Sequence, residues 1–260
     1  MKLAVCQSHI CWEDKASNIQ VAGEYIKQAS SENVDLIIFP EMSFTGFSMN
    51  LSAVEETLED SDYYTISEMK KLAIAYDIHV GFGWVKKGDK AENHYTIVNP
   101  KGIIISDYIK MHPFSYGKED QYFSQGDQLS FCKIKDQWVS TFICYDLRFP
   151  EIFQVASKKA DVIIHASNWP ESRKEHFTTL IRARAIENQC YLASSNCVGW
   201  LQEEYYSGNS SIIAPDGTIM ETLEHLEGLI ITDLTPGVEE YRKIFPFKQD
   251  RRESLYRQLN

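Results

Sequence analysis

Short runs of mostly apolar, largely β-branched residues recur along this chain, among them Leu36-Ile37-Ile38-Phe39, Ile103-Ile104-Ile105 and Val139-Ser140-Thr141-Phe142-Ile143. Such runs, bounded by turn residues, read as buried strands. Between them the apolar spacing lengthens to three and four. Ile19, Ala22, Ile26 and Ala29 predict a helix over 15–30, and Ile66, Met69, Leu72, Ala73 and Tyr76 predict a second after a polar loop over 48–61. Further strands are expected at 3–7, 79–85, 95–98, 103–110, near Phe131 and Val139, and at 161–167, 191–195 and 229–233. Pro150 suits the first turn of a helix reaching Ala160, and another helix is expected over 174–188. Turn signals stand at Gly88-Asp89, at Asn99-Pro100-Lys101-Gly102 and, in a hairpin, at Pro215-Asp216-Gly217-Thr218. Strands and helices that alternate to this extent imply an α/β fold, with sheets covered by helices. No linker or repeat interrupts the pattern, so 1–260 reads as one domain. An arm from about 236, with Phe245-Pro246-Phe247, Lys248, Arg251, Arg252 and Arg257, looks too polar for a core. It is expected either to lie over a neighbouring subunit or to be a solvated end.

Three reactive side chains close apolar runs: Glu41, Lys110 and Cys144. Strand ends hold chemistry rigidly in α/β scaffolds. A carboxylate, an ammonium and a thiol are a base, an oxyanion stabiliser and a nucleophile, the parts needed to attack an amide carbon. Cys144 stands between a strand and a helix start, the setting of a nucleophile elbow, where helix dipole and nearby cations are expected to favour the thiolate. Burying Glu41 among Phe39, Met42, Phe44 and Phe47 is costly without a partner, so a paired or proton-trading carboxylate is expected. Lys110 on its own would be read as the point where a strand meets water.

The formal net charge of -11 argues against a general nucleic-acid or anionic-membrane binder. No signal-peptide h-region opens the sequence and no apolar stretch approaches membrane-spanning length. The cysteines, scattered without CxxC spacing, read as reduced thiols in a cytoplasm, and no metal site is expected. Gly81-Phe82-Gly83 lacks the third glycine of a dinucleotide loop and marks close packing in a strand. A Cys-His protease would have His112, His165 or His176 available, none of them in a protease context.

The blocks Phe39-Pro40-Glu41 through Gly46, Lys110-Met111-His112 through Gly126, and Cys144-Tyr145-Asp146-Leu147-Arg148-Phe149-Pro150-Glu151 occur in the order and separation of one family. In them the chain resembles the nitrilase superfamily of carbon–nitrogen hydrolases, over nearly its whole length. The resemblance implies a four-layer α-β-β-α sandwich, a Glu41-Lys110-Cys144 triad, a further glutamate at Glu119 that orients lysine and substrate, and an oxyanion site completed by the backbone N–H of Tyr145. It implies a cytoplasmic homodimer or higher homo-oligomer that needs no cofactor.

Asn168-Trp169-Pro170-Glu171-Ser172-Arg173, Ala183 through Gln189, Asn196-Cys197-Val198-Gly199 and Gly208-Asn209-Ser210 are similar to the bacterial omega-amidase (2-oxoglutaramate amidase) branch, although Asn209 stands where close relatives would carry Asp. The substrate expected is a small ω-amidodicarboxylate of the 2-oxoglutaramate or succinamate type. The alternatives are a deaminated-glutathione amidase, an N-carbamoyl hydrolase, or a non-catalytic scaffold of the same fold. Substrate contacts are expected from Phe47, Tyr116, Asn168, Arg148 and Arg173. One of the two arginines would grip the far carboxylate, although an ion pair of Arg148 with Asp146 or Glu151 is an equal expectation.

Overall fold

The computed structural model describes residues 1–58 and 62–259. Strands β1 (Lys2–Gln7), β2 (Leu36–Ile38), β3 (Glu55–Glu56), β4 (His79–Lys86), β5 (Glu92–Val98) and β6 (Ile104–Ile109) build the first sheet. Strands β7 (Phe131–Ile134), β8 (Gln137–Ile143), β9 (Val162–Ser167), β10 (Tyr191–Asn196), β11 (Val198–Leu201), β12 (Glu204–Ile213) and β13 (Ile219–Glu224) build the second. The chain then returns to the first sheet as β14 (Gly228–Asp233), antiparallel to β1 with Lys2 opposite Asp233. The first sheet runs β14-β1-β2-β4-β5-β6 and the second β11-β12-β10-β9-β8-β7, with β3 paired to β4 and β13 to β12.

The period-two pattern of β1 and β2 explains how the layers stack. Leu3, Val5, Leu36 and Ile38 point into the cluster between the sheets, while Ala4, Cys6, Ile37 and Phe39 point out under two helices. Those helices are α1 (Lys15–Ser31) and, after the short α2 (Leu51–Val54), α3 (Tyr64–Tyr76). They bury Ile19, Ala22, Ile26, Ala29, Ile66, Met69 and Ala73, each large aliphatic worth about 1.5–3 kcal/mol of transfer free energy. Asp14 caps α1 by accepting the Ser17 N–H at 3.1 Å. After the short α4 (Glu119–Tyr122), helices α5 (Pro150–Ala156) and α6 (Lys174–Asn188) cover the second sheet with Phe153, Phe177, Ile181 and Ala185. The result is the expected α-β-β-α sandwich. No helix among the described residues is long and apolar enough to cross a membrane.

Several elements differ from expectation. The 48–61 loop contains α2 and β3, and its residues 59–61 lie outside the described residues. Strand β5 begins at Glu92 because its polar first half pairs with β4, Asn93 opposite Val85 and His94 opposite Trp84. Helix α5 stops at Ala156, where Ser157–Ala160 turn back by hydrogen bonds to Phe153, Val155 and Ala156 carbonyls.

The arm carries α7 (Val238–Ile244) and α8 (Glu253–Tyr256) and packs on its own chain. Val238 is buried in the main cluster. Arg242 donates to the Ser157 and Ala160 carbonyls at 3.3 and 2.9 Å, and Lys248 to those of Ser157 and Asn188 at 2.7 and 3.1 Å. Cations at the carboxyl ends of α5 and α6 are favoured by the helix dipoles. The arm is thus anchored at Val238, Arg242 and Lys248, while Ile244, Phe245 and residues 256–259 stay exposed.

Candidate active site

Both sheets deliver side chains to one spot. Glu41 follows β2 from the first sheet, and Lys110 follows β6. Cys144 and Asn168 follow the parallel neighbours β8 and β9 of the second sheet, the strand ends where open α/β sheets bind ligands. The Met42 turn after Glu41 has φ +41° and lies directly on Gly83 of β4, where an added Cβ would come within 2.4 Å of the Met42 nitrogen. Here the Gly81-Phe82-Gly83 stretch is the close-packed strand expected.

Glu41, Lys110 and Glu119 are fully buried. The Lys110 Nζ donates to Glu41 Oε1 at 2.7 Å and to Glu119 Oε1 and Oε2 at 3.0 and 2.8 Å. Asn93 of β5 bridges the two carboxylates, its Nδ2 lying 2.9 Å from Glu41 Oε1 and 3.1 Å from Glu119 Oε1. The second Glu41 oxygen accepts the Asn168 N–H at 3.1 Å. Glu119 also accepts the Phe114 N–H at 2.5 Å. Lys110 is therefore not a strand end meeting water. Burial alone would lower its pKa, but Glu119 and Glu41 outweigh burial and hold the ammonium above its ordinary range. Burial and the Glu41 charge push the Glu119 carboxyl up, against the pull of Lys110.

Cys144 occupies the sharp turn, with φ +44°. Burial pushes its thiol well up, the charge and hydrogen bond of Glu41 add to that, and Lys110 opposes them only in part. The expected preference for a thiolate is corrected on this point: two carboxylates stand beside the sulfur against one ammonium, so the resting group is a thiol. Asp146 fixes the turn from below, accepting the Ile143 N–H at 3.0 Å, the Tyr108 hydroxyl at 2.8 Å and the His112 N–H at 3.0 Å.

Cys144 opens into a cavity of about 270 Å³ lined by residues that include Phe47, Tyr116, Tyr145, Arg148, Asn168 and Arg173. All of the expected contact residues thus meet there. Arg148 does not pair with Asp146 or Glu151. Its guanidinium lies 4.8 Å from the Trp169 ring centroid and 5.8 Å from that of Tyr145, with His176 Nδ1 at 3.3 Å. Arg173 lies 5.5 Å from the Phe114 ring centroid. Arginine ion pairs among the described residues are Arg184–Glu187 and Arg242–Glu239, so both pocket guanidiniums are free of carboxylate partners. Asn168 lines the cavity, but its Nδ2 is bound to the Glu41 carbonyl at 2.6 Å, so it also holds the glutamate. Sequence reasoning missed Asn93, which carries no motif signal, and Glu204 and Tyr206, which reach the pocket from the hairpin start of β12.

A family model described as Carbon-nitrogen hydrolase matches residues 2–243. The chain is 31% identical over 258 residues to a 2-oxoglutaramate amidase of Bacillus subtilis (strain 168), covering 98% of each chain. It is 31% identical over 254 residues to the omega-amidase YafV of Yersinia enterocolitica, covering 96% of each. Its fold superposes with a TM-score of 0.89 on XC1258 from Xanthomonas campestris, described as a CN-hydrolase superfamily protein with an arsenic adduct in the active site, at 26% identity over 96% of this chain and 97% of the other.

Proposed function

The chain belongs to the carbon–nitrogen hydrolase family, and from that premise we propose that it hydrolyses the terminal carboxamide of a small ω-amidodicarboxylate, such as 2-oxoglutaramate or succinamate, through a thioester on Cys144. It is an amidase, a hydrolase of carbon–nitrogen bonds in non-peptide amides. The observation that carries the finer reading is the content of one small cavity. A thiol lies at one end with a buried carboxylate–ammonium cluster behind it, and two guanidiniums without carboxylate partners line the same walls.

The chemistry follows from these groups. Glu41 takes the thiol proton as Cys144 Sγ attacks the amide carbon. The oxyanion is held by Lys110 and by the Tyr145 N–H. Glu41 returns the proton to nitrogen, ammonia leaves, and the acyl group remains on sulfur. Glu41 then deprotonates water, which attacks the thioester to release the acid and restore the thiol. Because the thiol rests protonated, proton transfer to Glu41 accompanies attack. Glu119 and Asn93 fix the lysine and the glutamate in register.

An arginine that grips the far carboxylate with a charge-assisted contact contributes about 2–3 kcal/mol, or roughly 30- to 150-fold in kcat/KM. Succinamate is expected to exceed butyramide by at least that ratio, and Arg173→Met to narrow the gap more than Arg148→Met. Equal rates on charged and neutral amides would remove the ω-amidodicarboxylate while leaving the amidase. The same reading takes the protein as a cytoplasmic homodimer. The exposed Val155, Ile244 and Phe245 offer apolar surface for it, and sedimentation of the purified chain reads the assembly.

A further inference from the structure

His165 is a fully buried histidine that the chemistry above does not use. It sits on β9 between Phe142 of β8 and Ser194 of β10. Its Nε2 lies 3.1 Å from the carbonyl oxygen of Cys144, and its Nδ1 2.9 Å from the Ser194 hydroxyl. A carbonyl oxygen only accepts, so Nε2 carries the proton. In a neutral ring Nδ1 then accepts, and Ser194 donates to it. Burial lowers the ring's pKa to about 4, which keeps it neutral at ordinary pH.

The other end of that carbonyl bond matters more. The peptide joining Cys144 to Tyr145 is planar and trans, so its C=O and N–H point in opposite directions. Anchoring the oxygen on His165, inside the sheet, turns the Tyr145 N–H toward the opposite side, and Cys144 and Tyr145 both line the pocket. Cys144 holds a left-handed backbone that a non-glycine residue adopts only when its surroundings impose it. His165 supplies one such constraint and Asp146 another.

We propose that His165 is a positioning residue that, held in one tautomer by Ser194, locks the Cys144–Tyr145 peptide so that the Tyr145 N–H serves as an oxyanion donor. This rests on the thioester mechanism above, and it adds a two-residue relay to that mechanism. Glutamine presents an amide N–H near the place of Nε2, whereas leucine presents none.

The experiment compares His165→Leu, His165→Gln and Ser194→Ala with the unsubstituted chain, using succinamate turnover and the rate at which iodoacetamide alkylates Cys144, read on its peptide by mass spectrometry. Displacement of iodide develops no oxyanion, so alkylation reports the thiol without the donor. For His165→Leu, kcat is expected to fall roughly thirtyfold or more, toward the scale of a lost oxyanion donor, with KM and alkylation rate changed less than about threefold. His165→Gln is expected to recover to within roughly tenfold of the unsubstituted chain, and Ser194→Ala to show the same pattern at smaller size. If His165→Leu does not fold, Ser194→Ala and His165→Gln carry the comparison. The proposal is overturned if kcat is unchanged, if kcat and alkylation fall together, or if glutamine is as impaired as leucine. Failure of the parent reading looks different: Cys144→Ala would then keep the activity, or the unsubstituted chain would release no ammonia from any amide.

Discussion

Cys144 is held as a thiol by its own burial and by Glu41, with Lys110 pulling the other way, so on the proposed route its reactivity depends on Glu41 taking the proton. Cys144→Ala should leave a folded protein that releases no ammonia. Cys144→Ser should be nearly as inactive, because a hydroxyl is far harder to deprotonate than a thiol. A serine variant with more than a few per cent of normal kcat would contradict the covalent route. A second consequence at this scale concerns stability. His165 titrates near 6.5 when unfolded and near 4 when folded, because burial disfavours the imidazolium. Between those values the unfolded ring binds the proton more readily, so this contribution is fully present above 6.5 and is lost as pH falls toward 4. From pH 7 to pH 5 the loss is about 2 kcal/mol. The gap between wild type and His165→Gln in urea-derived stability should shift by that amount over the same range, and a gap independent of pH would contradict it.

Strand β4 governs the site without contributing a functional side chain. Gly83 hydrogen-bonds Ser43 in both directions, its N–H to Oγ at 2.8 Å and its carbonyl to the Ser43 N–H at 3.0 Å. A methyl group there would collide with the backbone of Glu41 and Met42. Gly83→Ala should therefore cost about 1–3 kcal/mol as overpacking and lower kcat at least tenfold by shifting Glu41 (about 1.4 kcal/mol in barrier). Denaturant midpoints and steady-state rates read both, and an unimpaired kcat would show that the loop absorbs the methyl. This is also where the sequence was most legible. Apolar runs ending in Glu41, Lys110 and Cys144 marked strand ends, and strand ends are fixed by the ladder behind them. What escaped it arises from pairing across distance. Asn93 looks like an ordinary polar residue until β5 aligns beside β4, and Glu204 and Tyr206 become pocket walls only when β12 folds against β11. The elbow at Cys144 was anticipated, but its thiolate was not obtained, since charge balance in a buried cluster depends on which carboxylates the other sheet brings.

At the scale of the whole molecule, the arm works as a clamp outside the pocket: Arg242 and Lys248 satisfy carbonyls at the ends of α5 and α6, and neither lines the cavity. Arg242→Ala with Lys248→Ala should lower the unfolding midpoint, each charge-assisted contact being worth about 1.5–3 kcal/mol, while kcat stays within about twofold, a gap of roughly 0.4 kcal/mol in barrier. An unchanged midpoint would mean that solvent replaces both cations without loss. The pairing of β14 with β1 has a consequence of another kind. During synthesis, β1 leaves the ribosome long before its partner exists. At roughly 5–20 residues per second, its unpaired edge waits on the order of ten to fifty seconds for residues 228–233. Glu41 and Cys144 come from different sheets, so the nascent chain carries no assembled chemistry until β8 has been made as well. An apolar strand edge left open that long is a target for chaperones and a template for aggregation, and the yield of active protein should depend on how fast translation reaches the last strand.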